Sequence, residues 1–172
     1  MSIKAIFFDR DGTLNVDVGY LHEFEKFQWI EGAIDAIKFC NENNFLAIVI
    51  TNQSGIARGF YSEDDVKKIH LQMNEDLKKF NAHIDDFFYC PHHPKGIVKK
   101  YSIDCECRKP KSKLIEDACK KYNIDKKNSI MIGDKIRDVE CAENAGVKGI
   151  LFDEKNLLEK IKSSLNELML VN

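Results

Sequence analysis

At 172 residues, 44% hydrophobic and 31% charged, the chain has the size and composition of one globular domain, residues 1–172, able to bury a core without staples. Its formal net charge of −2 excludes broad nucleic-acid binding but leaves room for a local basic pocket. No stretch approaches the ~18 apolar residues of a membrane span, and Lys4 with the acids from Asp9 interrupts the N-terminal apolar run, so a cytoplasmic protein is expected.

The first element, Ala5 to Phe8, has the length and residue types of a buried strand, and it stops abruptly at Asp9, Asp11 and Gly12. Acids at the end of a buried strand are costly unless something cationic meets them. Asn15 to Phe27 carries turn residues and no clear period, and reads as a loop with Gly19-Tyr20 at its tip. A helical pattern follows Gly32, through Ala33, Ile37 and Cys40 to Asn43-Asn44. Leu46 to Ile50 is a second apolar strand and ends at Thr51-Asn52-Gln53-Ser54-Gly55. Ser62, with Asp65 three residues on, caps a long amphipathic helix to about Phe80. Phe87 to Tyr89 is a short third strand before Cys90-Pro91-His92-His93-Pro94, and residues 95–107 form a Lys-rich loop. A helix over Lys113–Tyr122, a strand over Ser129–Ile132 ending at Gly133-Asp134, a helix over Val139–Ala145, a strand over Val147–Phe152 and a helix over Lys155–Leu170 complete the chain. Five continuously apolar strands alternating with helices predict a parallel α/β sheet covered on both faces, with the first strand central.

Four polar clusters end apolar runs: Asp9/Asp11, Thr51/Asn52, Arg108/Lys109 and Asp134. In a parallel sheet they share one edge, where ligands bind in open α/β folds. Each has a bland reading as a solvated turn; four in register favour a phosphate-ester site. Asp9 is placed as nucleophile and Asp11 as the proton donor and acceptor. Thr51 and Lys109 are placed to stabilise phosphoryl charge, and Asp9 with Asp134 to hold Mg²⁺.

The run Asp9-x-Asp11-Gly12-Thr13-Leu14, then Thr51, Lys109 and Gly133-Asp134, resembles the four motifs of the haloacid dehalogenase superfamily. The resemblance implies a doubly wound, Rossmann-like fold and Mg²⁺-dependent phosphatase chemistry through an aspartyl-phosphate. It also implies a metal contact from Asp11 through its backbone carbonyl, and an indirect part for Asp138 in orienting the metal site. No large insertion follows either of the first two motifs, so a capless site is expected. Thr51 to Gly59, Cys90 to Pro94 and Cys107 to Pro110 are similar to the branch that holds heptose bisphosphate and histidinol-phosphate phosphatases. The segment Asn15 to His22 and the long cysteine loop resemble its heptose side. On that likeness the substrate is a small phosphorylated sugar met by Asp17, Gly19, Tyr20, Asn52, Gln53, Ser54, Arg108 and Lys135, and a monomer is expected. A phosphoacceptor receiver module is the rival from another class. It would place its acid pair and phosphorylated Asp on different strands, unlike Asp9 and Asp11.

The six cysteines divide by position. Cys40, Cys119 and Cys141 fall in helical patterns and read as core residues. Cys90, Cys105 and Cys107 with one histidine form a Cys₃His set, a closed tetrahedral Zn²⁺ site with no open position for catalysis. His92 is preferred over His93, although spacing alone does not separate them. The site would hold the loop rigid up to Arg108 and Lys109.

Overall fold

The computed structural model describes residues 2–170, with side chains from 2 to 168. Strands β1 (Lys4–Phe8), β2 (Phe45–Asn52), β3 (Asp86–Cys90), β4 (Ile130–Gly133) and β5 (Lys148–Leu151) form one sheet in the order β3-β2-β1-β4-β5. Every neighbouring pair is parallel, and β1 is central. Helices α1 (Ala33–Glu42), α2 (Glu63–Lys78), α3 (Lys113–Tyr122), α4 (Ile136–Ala145) and α5 (Leu157–Leu170) connect and close it. No helix among the described residues is long and apolar enough to cross a membrane.

The alternation along β1 divides the core. Ile6 and Phe8 join residues of α1, α2 and α5 in one layer, while Ala5 and Phe7 join α3 and α4 in the other. Burial on both faces is why β1 reads as a continuous apolar run rather than an alternating one. Replacing Phe8 with Ala would cost about 3–5 kcal/mol in a site this enclosed.

Several ends differ from the sequence reading by one to three residues. β2 reaches Asn52 because its ladder with β3 continues past the apolar run, pairing Thr51 with Tyr89 and Asn52 with Cys90. α4 begins at Ile136, three residues before Val139, because its first turn, with Ile136 and Arg137 exposed and the polar Asp138 buried, carries no apolar period. The start of α2 agrees to the residue: Asp65 N–H donates to Ser62 Oγ at 3.2 Å, and Ser62 N–H donates to Asp65 Oδ2 at 2.8 Å.

The chain leaves β1 toward β2 and β3 on one side, then returns past β1 to β4 and β5 on the other. The crevice at such a reversal is where open sheets take ligands. Phe8 pairs with both Val49 and Ile132, so Asp9, Thr51 and Asp134 emerge together at that edge.

Candidate active site

Asp9 leaves the end of β1 almost completely buried, at 6% exposure. Lys109 Nζ lies 2.8 Å from Asp9 Oδ1, 2.7 Å from Asp138 Oδ1 and 2.8 Å from the Ile50 carbonyl. The ammonium donates hydrogen bonds to Asp9 and to the Ile50 carbonyl, and meets Asp138 Oδ1 as an ion pair without a hydrogen bond. Burial opposes the charge on Lys109, but Asp9 and Asp138 outweigh it and hold its pKa above the usual lysine value. Burial pushes the Asp9 carboxyl up to about 7, with Lys109 pulling it back and Asp138 adding to the rise. Asp138 Oδ2 accepts from the Lys135 N–H at 3.0 Å, which fixes that carboxylate at the start of α4.

Asp134 completes the acid group. Its Oδ2 lies 3.2 Å from Lys135 Nζ, while its Oδ1 is buried without a hydrogen-bond partner. A Cβ on Gly12 would collide with that carboxylate, and Gly12 holds φ of +87°, so glycine is required there on both counts. Ligand atoms of Asp9, Asp134 and Asp138 lie within 4.8 Å of one another. Three clustered carboxylates against the ammoniums of Lys109 and Lys135, with the Oδ1 atoms of Asp134 and Asp138 both buried without a hydrogen bond, fit a hard divalent cation. The Asp11 carboxylate stands apart from this group and faces Arg10 instead.

Asp11 is held by four donor groups. Arg10 Nη2 lies 3.1 Å from each of its oxygens and Arg10 Nε 3.4 Å from Oδ1. Asn15 Nδ2 donates to Oδ1 at 3.0 Å and Gln53 Nε2 to Oδ2 at 3.1 Å. Burial works to raise the Asp11 pKa, but the Arg10 charge and these hydrogen bonds prevail and hold it below the usual carboxylate value. Gln53 is itself fixed, since its Oε1 accepts from Tyr61 OH at 2.7 Å and its Nε2 donates to Thr51 Oγ1 at 2.9 Å.

A cleft of about 400 Å³ opens over Asp9 and Asp11. Thr51, Ser54, Arg108 and Lys135, candidates from the sequence, line it, and so do Asp17, Gly19 and Tyr20 from the loop after β1. Asp17 Oδ1 accepts from the Gly19 N–H at 3.0 Å and shapes that loop, while Tyr20 packs edge-on against Phe60 at 4.7 Å. Asn52 and Gln53 reach the cleft wall with their amides already committed. Asn52 Nδ2 donates to the Lys109 carbonyl at 3.2 Å, and Asn52 Oδ1 accepts the Lys109 N–H at 3.0 Å, so Asn52 braces the lysine rather than offering a free amide. Arg58, Tyr61 and Arg137 also line the cleft and were not singled out from sequence. Arg58 lies within the run after β2, a signal that was available; Arg137 sits in the apolar-poor first turn of α4, where none was. Burial and the nearby charges of Arg137 and Arg58 hold the Arg108 pKa below its usual value.

Beside this cleft, Cys90 at the end of β3 meets the cysteine loop. Cys90 Sγ lies 3.5 Å from Cys105 Sγ and 3.0 Å from Cys107 Sγ, and Cys105 and Cys107 are 3.5 Å apart. His92 Nδ1 lies 3.7 Å from Cys90 Sγ and 3.3 Å from Cys107 Sγ. Zn–S bonds of about 2.3 Å give tetrahedral S–S edges of about 3.8 Å, so the donor set is slightly tighter than a filled site and of the right chemistry. None of the three cysteines is in a disulfide. Of the two histidines, His92 lies with the three cysteines, while His93 Nε2 turns to Arg58 Nη2 at 3.3 Å.

The HAD-hydrolase-like family model matches residues 106–156, the stretch from the cysteine loop past Asp134. The D-glycero-beta-D-manno-heptose-1,7-bisphosphate 7-phosphatase of Haemophilus influenzae is 46% identical over 84% of this chain and 78% of its own length. The Escherichia coli K12 protein of the same name is 39% identical over 97% of this chain and 92% of its own. Among solved structures, D,D-heptose 1,7-bisphosphate phosphatase from B. bronchiseptica, complexed with magnesium and phosphate, superposes with a TM-score of 0.79. It is 28% identical and covers 93% of this chain and 86% of that one.

Proposed function

The chain belongs to the D-glycero-D-manno-heptose-1,7-bisphosphate 7-phosphatase family of haloacid dehalogenase phosphatases, and we propose that it removes the 7-phosphate of that sugar bisphosphate through an aspartyl-phosphate on Asp9. The chain is a phosphoric monoester hydrolase; the substrate, the metals and the residue roles are the proposal. The observation that carries it is the placement of Asp9, at the end of the central strand, against Lys109 and at the floor of the cleft that Asp11 also lines.

An Asp9 oxygen attacks phosphorus, and the bond from phosphorus to the sugar oxygen breaks. Asp11 gives its proton to the departing alkoxide. In the second step Asp11 takes a proton from a water that attacks the same phosphorus, and inorganic phosphate leaves Asp9 free. The low resting pKa of Asp11 suits the second step. For the first, the entering phosphate dianion lifts it, because a neighbouring negative charge favours the protonated carboxyl. Lys109 and the Thr51 hydroxyl face the phosphoryl oxygens as charge accumulates on them. Mg²⁺, held by Asp9 and Asp134, supplies positive charge that keeps Asp9 ionised and offsets the phosphoryl oxygens. Zn²⁺ at Cys90, His92, Cys105 and Cys107 is structural and fixes the chain leading into Arg108 and Lys109.

The test is phosphate release from a panel of sugar and alkyl phosphates, ranked by kcat/KM, with the phosphorylated protein trapped by acid quench. Heptose 1,7-bisphosphate leading the panel, with label on Asp9, is the expected result. A lead by an unrelated ester, or label on another residue, rules the reading out.

A further inference from the structure

We propose that His70, on the buried face of α2, is a positioning residue that sets the orientation of Asp11 through the guanidinium of Arg10. The inference rests on Asp11 being the proton donor of the reading above.

Arg10 has no exposed surface. A guanidinium so enclosed is tolerated where acceptors meet its N–H groups, because burying a charge without partners is expensive. Asp11 takes Nε and Nη2. The Nη1 group points to His70 Nε2 at 3.2 Å. A guanidinium has donors only, so Nε2 must supply the lone pair and the ring must be neutral. His70 is itself held firmly. It is 5% exposed, and its ring stacks on Phe87 with centroids 4.3 Å apart and planes at 12°. Ile69 and Met73, its neighbours on α2, belong to the core layer under the sheet.

The order of constraint is therefore α2 and β3 to His70, His70 to Arg10, and Arg10 to Asp11. Asn15 and Gln53 hold the other side of the carboxylate. Without an acceptor at Nε2, Nη1 is left unpaired in the core, and the guanidinium must turn to find one. Asp11, bound to the same planar fork, turns with it. A displacement on the order of 1 Å at a catalytic group is enough to cost much of its contribution. The alternative is that Arg10 only neutralises Asp11 while His70 fills space, in which case an apolar side chain of similar bulk would leave the chemistry intact.

Leaving-group dependence separates these. A primary alkyl phosphate expels a strongly basic alkoxide and needs the proton from Asp11, whereas p-nitrophenyl phosphate expels a stable phenolate without it. The kcat/KM for each ester reports the steps up to formation of the phosphoryl-enzyme. His70→Leu and His70→Asn are expected to lose roughly tenfold or more on the alkyl ester and less than about threefold on p-nitrophenyl phosphate. His70→Gln, whose carbonyl can accept from Nη1, is expected to recover most of the alkyl-ester rate. The Asn variant, shorter but still polar, carries the test where the Leu variant does not fold. Equal losses on the two esters, or none on either, overturn the role of His70. Asp11→Asn, run alongside, separates the two levels. Should it lose equally on both esters, the reading of Asp11 falls and the His70 proposal with it. If it is selective and the His70 variants are not, only the His70 proposal falls.

Discussion

Lys109 Nζ stands 2.8 Å from Asp9 Oδ1 with both side chains buried, a hundred residues apart in sequence. Removing one partner of such a pair leaves the other charged and unsolvated, which costs about 3–5 kcal/mol. Lys109→Ala should therefore lower stability by about that amount in Mg²⁺-free urea unfolding. Added Mg²⁺ should restore more stability to the variant than to the wild type, because it replaces the missing charge. Activity should fall by about two orders of magnitude or more, since on the proposed mechanism the same ammonium faces the phosphoryl group. An unchanged urea midpoint would show that the pair contributes nothing net.

The two acids should separate by experiment. Asp9→Asn should abolish acid-stable labelling of the protein by radioactive substrate, because an amide is not a useful nucleophile. Asp11→Asn should leave Mg²⁺ binding by calorimetry largely intact, since the Asp11 carboxylate is engaged by Arg10, Asn15 and Gln53 rather than by the acid group around Asp134. Turnover of sugar phosphates should fall by about 10²–10⁴. Loss of Mg²⁺ affinity in Asp11→Asn would mean that the carboxylate leaves Arg10 for the metal.

Purified protein should carry about one equivalent of zinc by elemental analysis. Structural zinc contributes on the order of 10–16 kcal/mol of apparent binding free energy in small fingers, where it is the whole core. Here Cys90 also packs in the layer formed by β1, α3 and α4, so the sheet stands without the metal. Chelation should raise hydrogen exchange across residues 90–110 and reduce activity, with the rest of the sheet still protected. Full activity in Cys107→Ser would separate the cysteine cluster from the catalytic loop.

How far the site was legible depends on where each partner comes from. Asp9, Asp11 and Gly12 stand out because an apolar run stops at them, and Ser62 and Asp65 because a capping box is local. Asp134 follows from its register with β1. Arg10 was not legible as a core residue, since an arginine between two aspartates reads as solvated. Its burial depends on His70, 60 residues away on a helix whose angle over the sheet no local pattern encodes. The bracing of Lys109 by Asn52 is not legible for the same reason: its amide partner, the Lys109 backbone, comes from a chain return 57 residues later.

His70 also has a consequence for pH. Burial first, and then the Arg10 charge, hold its pKa down to about 3, although Asp11 pulls the other way. Between about 6.5 and 3 the unfolded chain binds a proton there that the folded chain does not, so folding stability falls as pH drops, by up to about 1.4 kcal/mol per pH unit. Asp9, held up near 7, acts in the opposite direction in metal-free protein, so the raw slope mixes the two. The difference between wild type and His70→Gln at each pH isolates the histidine. The variant should gain relative stability steadily from pH 6.5 to 4.5 in urea titrations. A constant difference over that range would show that His70 is protonated in the folded state.

On the proposed reading, the cleft chooses its substrate by charge. Arg58, Arg108 and Arg137 all line it, and none of the three forms an ion pair with an acid among the described residues. Lys135, by contrast, is engaged by Asp134 and is less free to move to a ligand. Clustered guanidiniums repel one another, and a dianion placed between them removes that cost while filling their planar forks. With the reacting phosphate at Asp9, as proposed, a second phosphate on the same sugar is the group these arginines suit. Histidinol phosphate carries an amine and an imidazole at its far end, which the same arginines repel when charged. Heptose 1,7-bisphosphate should therefore have the higher kcat/KM. Arg108→Ala should lower kcat/KM for the bisphosphate by about tenfold to a hundredfold, the range of about 1.5–3 kcal/mol for hydrogen bonds to charged groups. Its effect on a small monophosphate should be several times less. Arg137→Ala should act in the same direction more weakly, because its side chain is exposed and gives up less desolvation. Higher kcat/KM for histidinol phosphate, or an Arg108→Ala loss that is equal across all esters, would place the selectivity elsewhere in the cleft.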